Sequence, residues 1–423
     1  MTALISSIAV LIAIRVPLTF SLLLGSLGFV LIDGQIDPII LPQTMFSGLD
    51  HFILLSVPLF LLAGNVMSAT TLTSRLIDCV GSWIGHIRGG MGHVAVTTNV
   101  VMSGISGSAT ADTAAVSTVL VPGMCQVGYT PAFAAALNAA AGSLGPIIPP
   151  SIIMLVYASL ASVSVAKLFL AGFVPGLVVA GLLMAYVHWH AKRHGIMAAR
   201  SASMRERAMA TFKAIPVLVM PLIVLGGVFA GVFTPTEASA VAAAYAIAVG
   251  FLGARDLTPS KLMQVLRNTA ITTGTVMIVV ASANVLSWLL IVNGVGAAII
   301  GLFGPIRDMP WLVLLLINAI LLVLGLILEP IPLMMLVVPV LLPLLRTMHV
   351  DLVQFGVIVT LNTSIALIMP PFGLSMFIAI GVASVSVEQY ARQVWPLVGV
   401  LLIALWLVTQ LPILSLALPN FLN

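Results

Sequence analysis

The run Ser103-Gly104-Ile105-Ser106-Gly107-Ser108-Ala109-Thr110-Ala111-Asp112 gathers hydroxyls and one carboxylate among residues with little or no side chain. Small residues let backbone approach a ligand closely, and neutral hydroxyl oxygens suit a small hard cation. Further on, Gly145-Pro146-Ile147-Ile148-Pro149-Pro150 holds consecutive prolines, which remove backbone donors and force a helix to unwind. The carbonyls freed there supply more oxygen, so the two segments together form a candidate site for a coupling cation. Small residues also serve close helix packing, but the adjacent proline break favours the site. A second cluster joins Gly325-Leu326-Ile327-Leu328-Glu329-Pro330 with Thr360, Asn362, Thr363 and Ser364, just ahead of Met369-Pro370-Pro371-Phe372-Gly373. Half-helix N-termini directed at such a centre suit an anionic group, which makes the expected substrate a carboxylate.

Ionisable residues inside apolar segments are functional candidates, and these are Asp112, Glu329 and Arg15. Asp112 is expected either to cap the half-helix after the tip or to attract an ion; Asn138 precedes the first proline pair as Asn362 precedes the second. Glu329 is expected to cap, to pair with Arg346 or to carry a proton, and Arg15 to meet another subunit or reach an interface. His188, His190 and His194 lie where an apolar segment meets a basic loop, so lipid headgroup contact is expected rather than a metal site. Enzyme chemistry is not expected: Gly104-Ile105-Ser106-Gly107-Ser108 departs from a nucleophile elbow, and the chain has no Walker loop. Cys79 and Cys125 are too few for a disulfide framework, and no cofactor is expected beyond Na+ as coupling ion.

The elements that must hold these residues follow from composition. Of 423 residues, 61% are hydrophobic and 7% charged, and the mean hydropathy is +1.23. So few charges cannot cover a soluble body, so the chain reads as an all-α polytopic membrane protein with no room for a large soluble domain. Apolar stretches fall at about 4–32, 52–72, 91–127, 130–162, 166–188, 214–233, 236–254, 269–293, 309–345, 352–384 and 394–417. The stretches 91–127 and 309–345 are broken near the middle and suit two re-entrant hairpins; 130–162 and 352–384 are interrupted by the proline pairs and suit two discontinuous helices. Irregular backbone at membrane depth survives only where protein or a watery cavity covers it. Both breaks are followed by Ala-Ser-Val-Ser-Val, at 161–165 and 383–387, which argues for an internal duplication. With the first stretch read as one retained helix and the N-terminus as cytoplasmic, Lys and Arg concentrate inside, leaving only Lys167, Arg307 and Arg346 outside. The two repeats are then inverted, an arrangement of secondary transporters, with the C-terminus periplasmic. Short amphipathic pieces near 73–89 and 259–267 are expected along the cytoplasmic interface.

At these residues the chain resembles the large membrane subunit of tripartite ATP-independent periplasmic (TRAP) transporters. The resemblance runs through Ser56-Val57-Pro58-Leu59-Phe60-Leu61-Leu62-Ala63-Gly64-Asn65, Arg88-Gly89-Gly90, the glycine-serine tip, Gly128-Tyr129-Thr130-Pro131-Ala132-Phe133, the first proline pair with Ser151, and Phe355-Gly356-Val357-Ile358 followed by Asn362 and Pro370-Pro371. It implies an elevator-type Na+ symporter of organic anions (C4-dicarboxylates, sialic acid or related carboxylates) in the bacterial inner membrane. It also implies separate partner chains, a small four-helix membrane subunit and a periplasmic substrate-binding protein, and no nucleic acid. One Na+ would be held by Ser103, Ser106, Gly145 and Ile148, and a second by Gly325, Thr363, Ile368 and Met369. Substrate would lie between the tips, against Ser106, Gly107, Ser108, Pro150, Asn362 and Pro371, with Asp112, Asn138 and Glu329 in support. The implied organisation is scaffold and interfacial helices over 1–90, a first transport repeat over 91–165, scaffold helices over 166–308 with a basic cytoplasmic loop at 189–213, a second transport repeat over 309–387 and a C-terminal scaffold helix over 388–423. Two other readings stay open: a standalone Na+- or H+-coupled dicarboxylate transporter, and a passive anion channel or membrane scaffold.

Overall fold

The computed structural model describes residues 2–196, 198 and 200–422, and every regular element among them is helical. Helices satisfy their own backbone groups, as the apolar core of a bilayer demands, except for the amides of the first turn. Here short polar residues at the helix starts supply those acceptors: Ser108, Thr130, Ser151, Ser164, Ser203, Thr234, Thr258, Asp351 and Ser386 each accept from an amide of the following turn.

Two repeats carry the architecture. The first hairpin pairs Gly90–Ser106 with Ala109–Gln126, and the second pairs Pro310–Gly325 with Pro330–Thr347. Each is followed by a broken helix, Pro131–Gly142 with Ile152–Ala161, then Leu352–Ala366 with Leu374–Ala383. At about 1.5 Å per residue the halves of the broken helices, 10 to 15 residues each, are too short to cross a core of about 30 Å, so each ends within it. The repeated pentapeptide has a plain structural role. Its first serine, Ser162 or Ser384, closes a half-helix in the left-handed conformation (φ 54° and 53°), and its second, Ser164 or Ser386, caps the long helix that follows. Both proline pairs have cis peptide bonds.

Among the described residues six helices are each long and apolar enough to span: the second hairpin's arm Pro330–Thr347 and, outside the hairpins, Val165–Arg193, Met204–Phe229, Pro235–Ala254, Pro259–Val292 and Val387–Gln410. Several expectations need correction. The stretch 4–32 is not one helix: Thr2–Ala13 and Leu18–Asp33 fold back on each other about exposed Arg15 (φ 65°), and Gly25 packs against Ile8. Residues 259–267 are not a separate interfacial piece but the first turns of the 34-residue helix Pro259–Val292. Near 73–89 a separate helix, Leu72–Ile84, does form, burying Leu72, Leu76, Ile77 and Val80 along one face. The last stretch bends at Pro412 into a second short helix, Pro412–Phe421, and Val295–Phe303 adds a helix not foreseen. Ile40–Leu49 and the segment Phe52–Ser68 meet at a 62° bend.

Candidate substrate and ion site

The tip of the first hairpin is pressed into the first break. Gly107 adopts φ 62°, and a Cβ there would strike the Pro150 carbonyl. A Cβ on Gly145 would lie 2.8 Å from the Ser108 carbonyl carbon and 2.9 Å from Asp112 Oδ2. Only glycine permits either approach. Ser106 Oγ donates to Asp112 Oδ1 at 2.6 Å and accepts from the Ser108 amide at 3.2 Å. Ser103 Oγ donates to the Asn99 carbonyl at 2.6 Å. No backbone amide among the described residues donates to the Gly145 or Ile148 carbonyl, which leaves both free for a ligand. Ser103, Ser106, Gly145 and Ile148 are all buried, and Asp112, bonded to Ser106 and facing Gly145, links the tip to the break. The capping role considered for Asp112 belongs instead to Ser108, whose Oγ accepts from the Ala111 amide.

The second tip meets the second break in the same way, a Cβ on Gly325 falling 2.6 Å from the Ala366 Cβ. Thr363 Oγ1 donates to the Thr360 carbonyl at 3.1 Å, the Met369 carbonyl accepts from the Gly373 amide, and the Ile368 carbonyl accepts from Tyr390 Oη at 3.1 Å. Tyr390 is fully buried and escaped the sequence reading, since one tyrosine in an amphipathic helix start carries no signal of its own. Asn362 is fully buried too: its Nδ2 donates to the Asn318 carbonyl and to Asn318 Oδ1, at 2.9 and 3.2 Å. Asn318 in turn donates to Thr409 Oγ1 at 2.9 Å.

Between the two tips lies a cavity of about 230 Å³. The first tip contributes Gly107, Ser108 and Thr110, the second Glu329 and Pro330, and the breaks Pro146, Ile152 and Leu367. Outside the repeats the wall comes from Leu61 and from Thr272, Thr275 and Val276 of the long helix Pro259–Val292, whose two hydroxyls are hidden in the sequence within a long apolar run. Glu329 occupies the N-cap position of Pro330–Thr347 without making a capping bond and lines the cavity, so neither the cap nor the Arg346 pair forms. Ser106, Pro150, Asn362 and Pro371, expected to touch substrate, are not among its lining residues: the first three are buried elsewhere, Asn362 against Asn318, and Pro371 is exposed. At the other end of the first hairpin, His190 is buried and stacked on Phe133, ring centroids 3.7 Å apart, with His194 at 4.1 Å. Packing, not headgroup contact, explains that histidine.

Residues 5–414 match the family model described as "Tripartite ATP-independent periplasmic transporter, DctM component". The chain belongs to this family. It is 38% identical to the large permease protein of a 2,3-diketo-L-gulonate TRAP transporter from Escherichia coli, over 92% of each chain. It is 36% identical to that of a C4-dicarboxylate TRAP transporter from Pseudomonas aeruginosa, over 90% of this chain and 89% of the relative. The solved Alcanivorax borkumensis YdaH transporter shares the fold, with a TM-score of 0.63 over 90% of this chain and 88% of that one at 15% identity. The chain is therefore a multi-pass membrane transporter subunit and not an enzyme.

Proposed function

We propose that this TRAP large permease imports an organic acid anion by Na+ symport across a bacterial inner membrane. A periplasmic binding protein delivers the substrate, and a small four-helix membrane subunit completes the scaffold. The observation that carries this reading is the cavity on which both tips and both breaks converge, with free carbonyls and hydroxyls directly behind its wall. Anion and cation then bind side by side, which is how one loads only with the other. The N-terminus of Ala109–Gln126, with the Ser108 and Thr110 hydroxyls, opens onto the cavity and suits the substrate carboxylate. Glu329 stands at the opposite tip. A carboxylate there repels a second carboxylate and accepts hydrogen bonds from hydroxyls, so within the carboxylate class the cavity favours a hydroxylated monocarboxylate, such as a sugar acid or sialic acid, over a C4-dicarboxylate.

The cavity wall is shared between the repeats and the helices bearing Leu61 and Thr272, as an elevator requires if the repeats carry substrate past a fixed scaffold. The concentration of arginine and lysine over 189–213 supports a cytoplasmic place for that loop, whereas the fold-back of Thr2–Ala13 on Leu18–Asp33 removes the single crossing that the expected cytoplasmic N-terminus requires. Competition for uptake tests the substrate reading. A sugar acid or sialic acid should displace labelled substrate at lower concentration than succinate, and Glu329→Gln should narrow that gap. Succinate outcompeting both in the unsubstituted protein would contradict it.

A further inference from the structure

Behind the first tip, five buried oxygens have no hydrogen-bond partner: Asn99 Oδ1, Asp112 Oδ2, Thr113 Oγ1, Ser117 Oγ and Asn138 Oδ1. All five residues are 0% exposed. Native structures seldom leave such atoms bare, and a group of them marks a bound water or ion. Their placement converges. Thr113 and Ser117 are one turn apart on the same helix face, and a Cβ on Gly142 would strike Thr113 Oγ1, so this face looks onto Pro131–Gly142. Asn138 is one turn before Gly142, with its Nδ2 3.4 Å from Met124 Sδ of the same hairpin arm. Asp112 turns Oδ2 toward Gly145, three residues past the Gly142 that Thr113 Oγ1 meets, so both oxygens face the same short turn.

The second repeat places Asn99. It lies seven residues before Ser106, as Asn318 lies seven before Gly325; Asn138 lies four before Gly142, as Asn362 lies four before Ala366. Asn318 and Asn362 bond to each other, so the duplication sets Asn99 against Asn138. In the first repeat both amide nitrogens instead turn back onto their own helices, to the Ala95 and Ala134 carbonyls at 2.8 Å each. What faces inward is oxygen alone.

An all-oxygen lining with one carboxylate, whose only donors are the Thr113 and Ser117 hydroxyls, is costly in a buried place, and no Lys, Arg or His pairs with Asp112 among the described residues. One carboxylate, two amide oxygens and two hydroxyls form the donor set of a small hard cation. We propose that this pocket holds a further Na+, separate from the ions at the two tip-and-break sites. The matching positions of the second repeat are Leu333, Met334 and Val338, so the extra site belongs to the first repeat only. Bound there, the ion would neutralise Asp112 and so hold Ser106, its hydrogen-bond partner, in place for the tip site. The proposal rests on the Na+ symport reading.

The test is equilibrium binding of radioactive Na+ to the purified large and small subunits together, for the unsubstituted protein, the double variant Thr113→Val with Ser117→Ala, and Ser106→Ala. The double variant should bind one Na+ fewer than the unsubstituted protein, and its Na+-driven uptake should lose about one unit of Hill slope. An unchanged stoichiometry in a folded double variant overturns the extra site while leaving symport intact; no Na+ binding by the unsubstituted protein overturns the symport reading itself. If the double variant does not fold, an experimental structure in Na+ decides. Oxygen contacts clearly shorter than the roughly 2.7–2.8 Å of O–H···O bonds identify the ion, and contacts at that length identify water and overturn the proposal.

Discussion

Ser106 stands at the junction of everything the first tip does. Its hydroxyl proton goes to Asp112, which leaves the oxygen's lone pairs to the Ser108 amide and to an ion. Ser106→Ala therefore removes an ion ligand and strands a buried carboxylate at once, a loss of about 1–3 kcal/mol. The Na+ concentration for half-maximal uptake should rise by roughly tenfold or more; an unchanged Na+ response would remove Ser106 from the site. At the second break the comparable residue is Tyr390. Its hydroxyl fixes the Ile368 carbonyl through one lone pair and leaves the other for coordination. Tyr390→Phe keeps the ring's packing and deletes only that bond, about 1 kcal/mol. A several-fold rise in the Na+ requirement with a near-native melting temperature is expected, and a shift in melting temperature alone would mark the bond as merely structural.

At the scale of elements, the hairpin tips work because they are thin. Gly107 combines a left-handed backbone with direct contact to the first break, so Gly107→Ala meets both a backbone penalty of about 1–2 kcal/mol and a clash with the Pro150 carbonyl. Uptake should be lost while the protein still assembles with its small subunit, as read by co-purification; normal uptake would show that the tip need not seat against the break. Tips and breaks were legible from the sequence because proline pairs, glycine-serine runs and the repeated Ala-Ser-Val-Ser-Val act through local backbone chemistry. The last of these is a left-handed helix stop followed by a helix cap. The fold-back at Arg15 was not legible, because hydropathy averaged over 4–32 hides the four-residue turn between Ala13 and Leu18. Thr272, Thr275, Asn99 and Asn318 were hidden for a different reason. A single polar residue in an apolar helix acquires meaning only from what packs opposite it, and that is set by the tertiary fold.

Across the whole molecule, the cavity is built mostly from the two repeats, with one wall from Leu61, Thr272, Thr275 and Val276 of the helices around them, so import as proposed requires the repeats to slide past that wall. A cross-link between Leu61→Cys and Thr110→Cys, in a background free of Cys79 and Cys125, spans that boundary. It should stop uptake reversibly with reduction, while docking of the binding protein persists; uptake that survives full cross-linking would contradict elevator motion. The most direct measurement is uptake of labelled sialic acid and succinate into proteoliposomes holding the large and small subunits, with and without an inward Na+ gradient and the cognate binding protein. Coupled import predicts accumulation above the outside concentration only when gradient and binding protein are both present. Accumulation without the binding protein, or mere equilibration regardless of Na+, would contradict it.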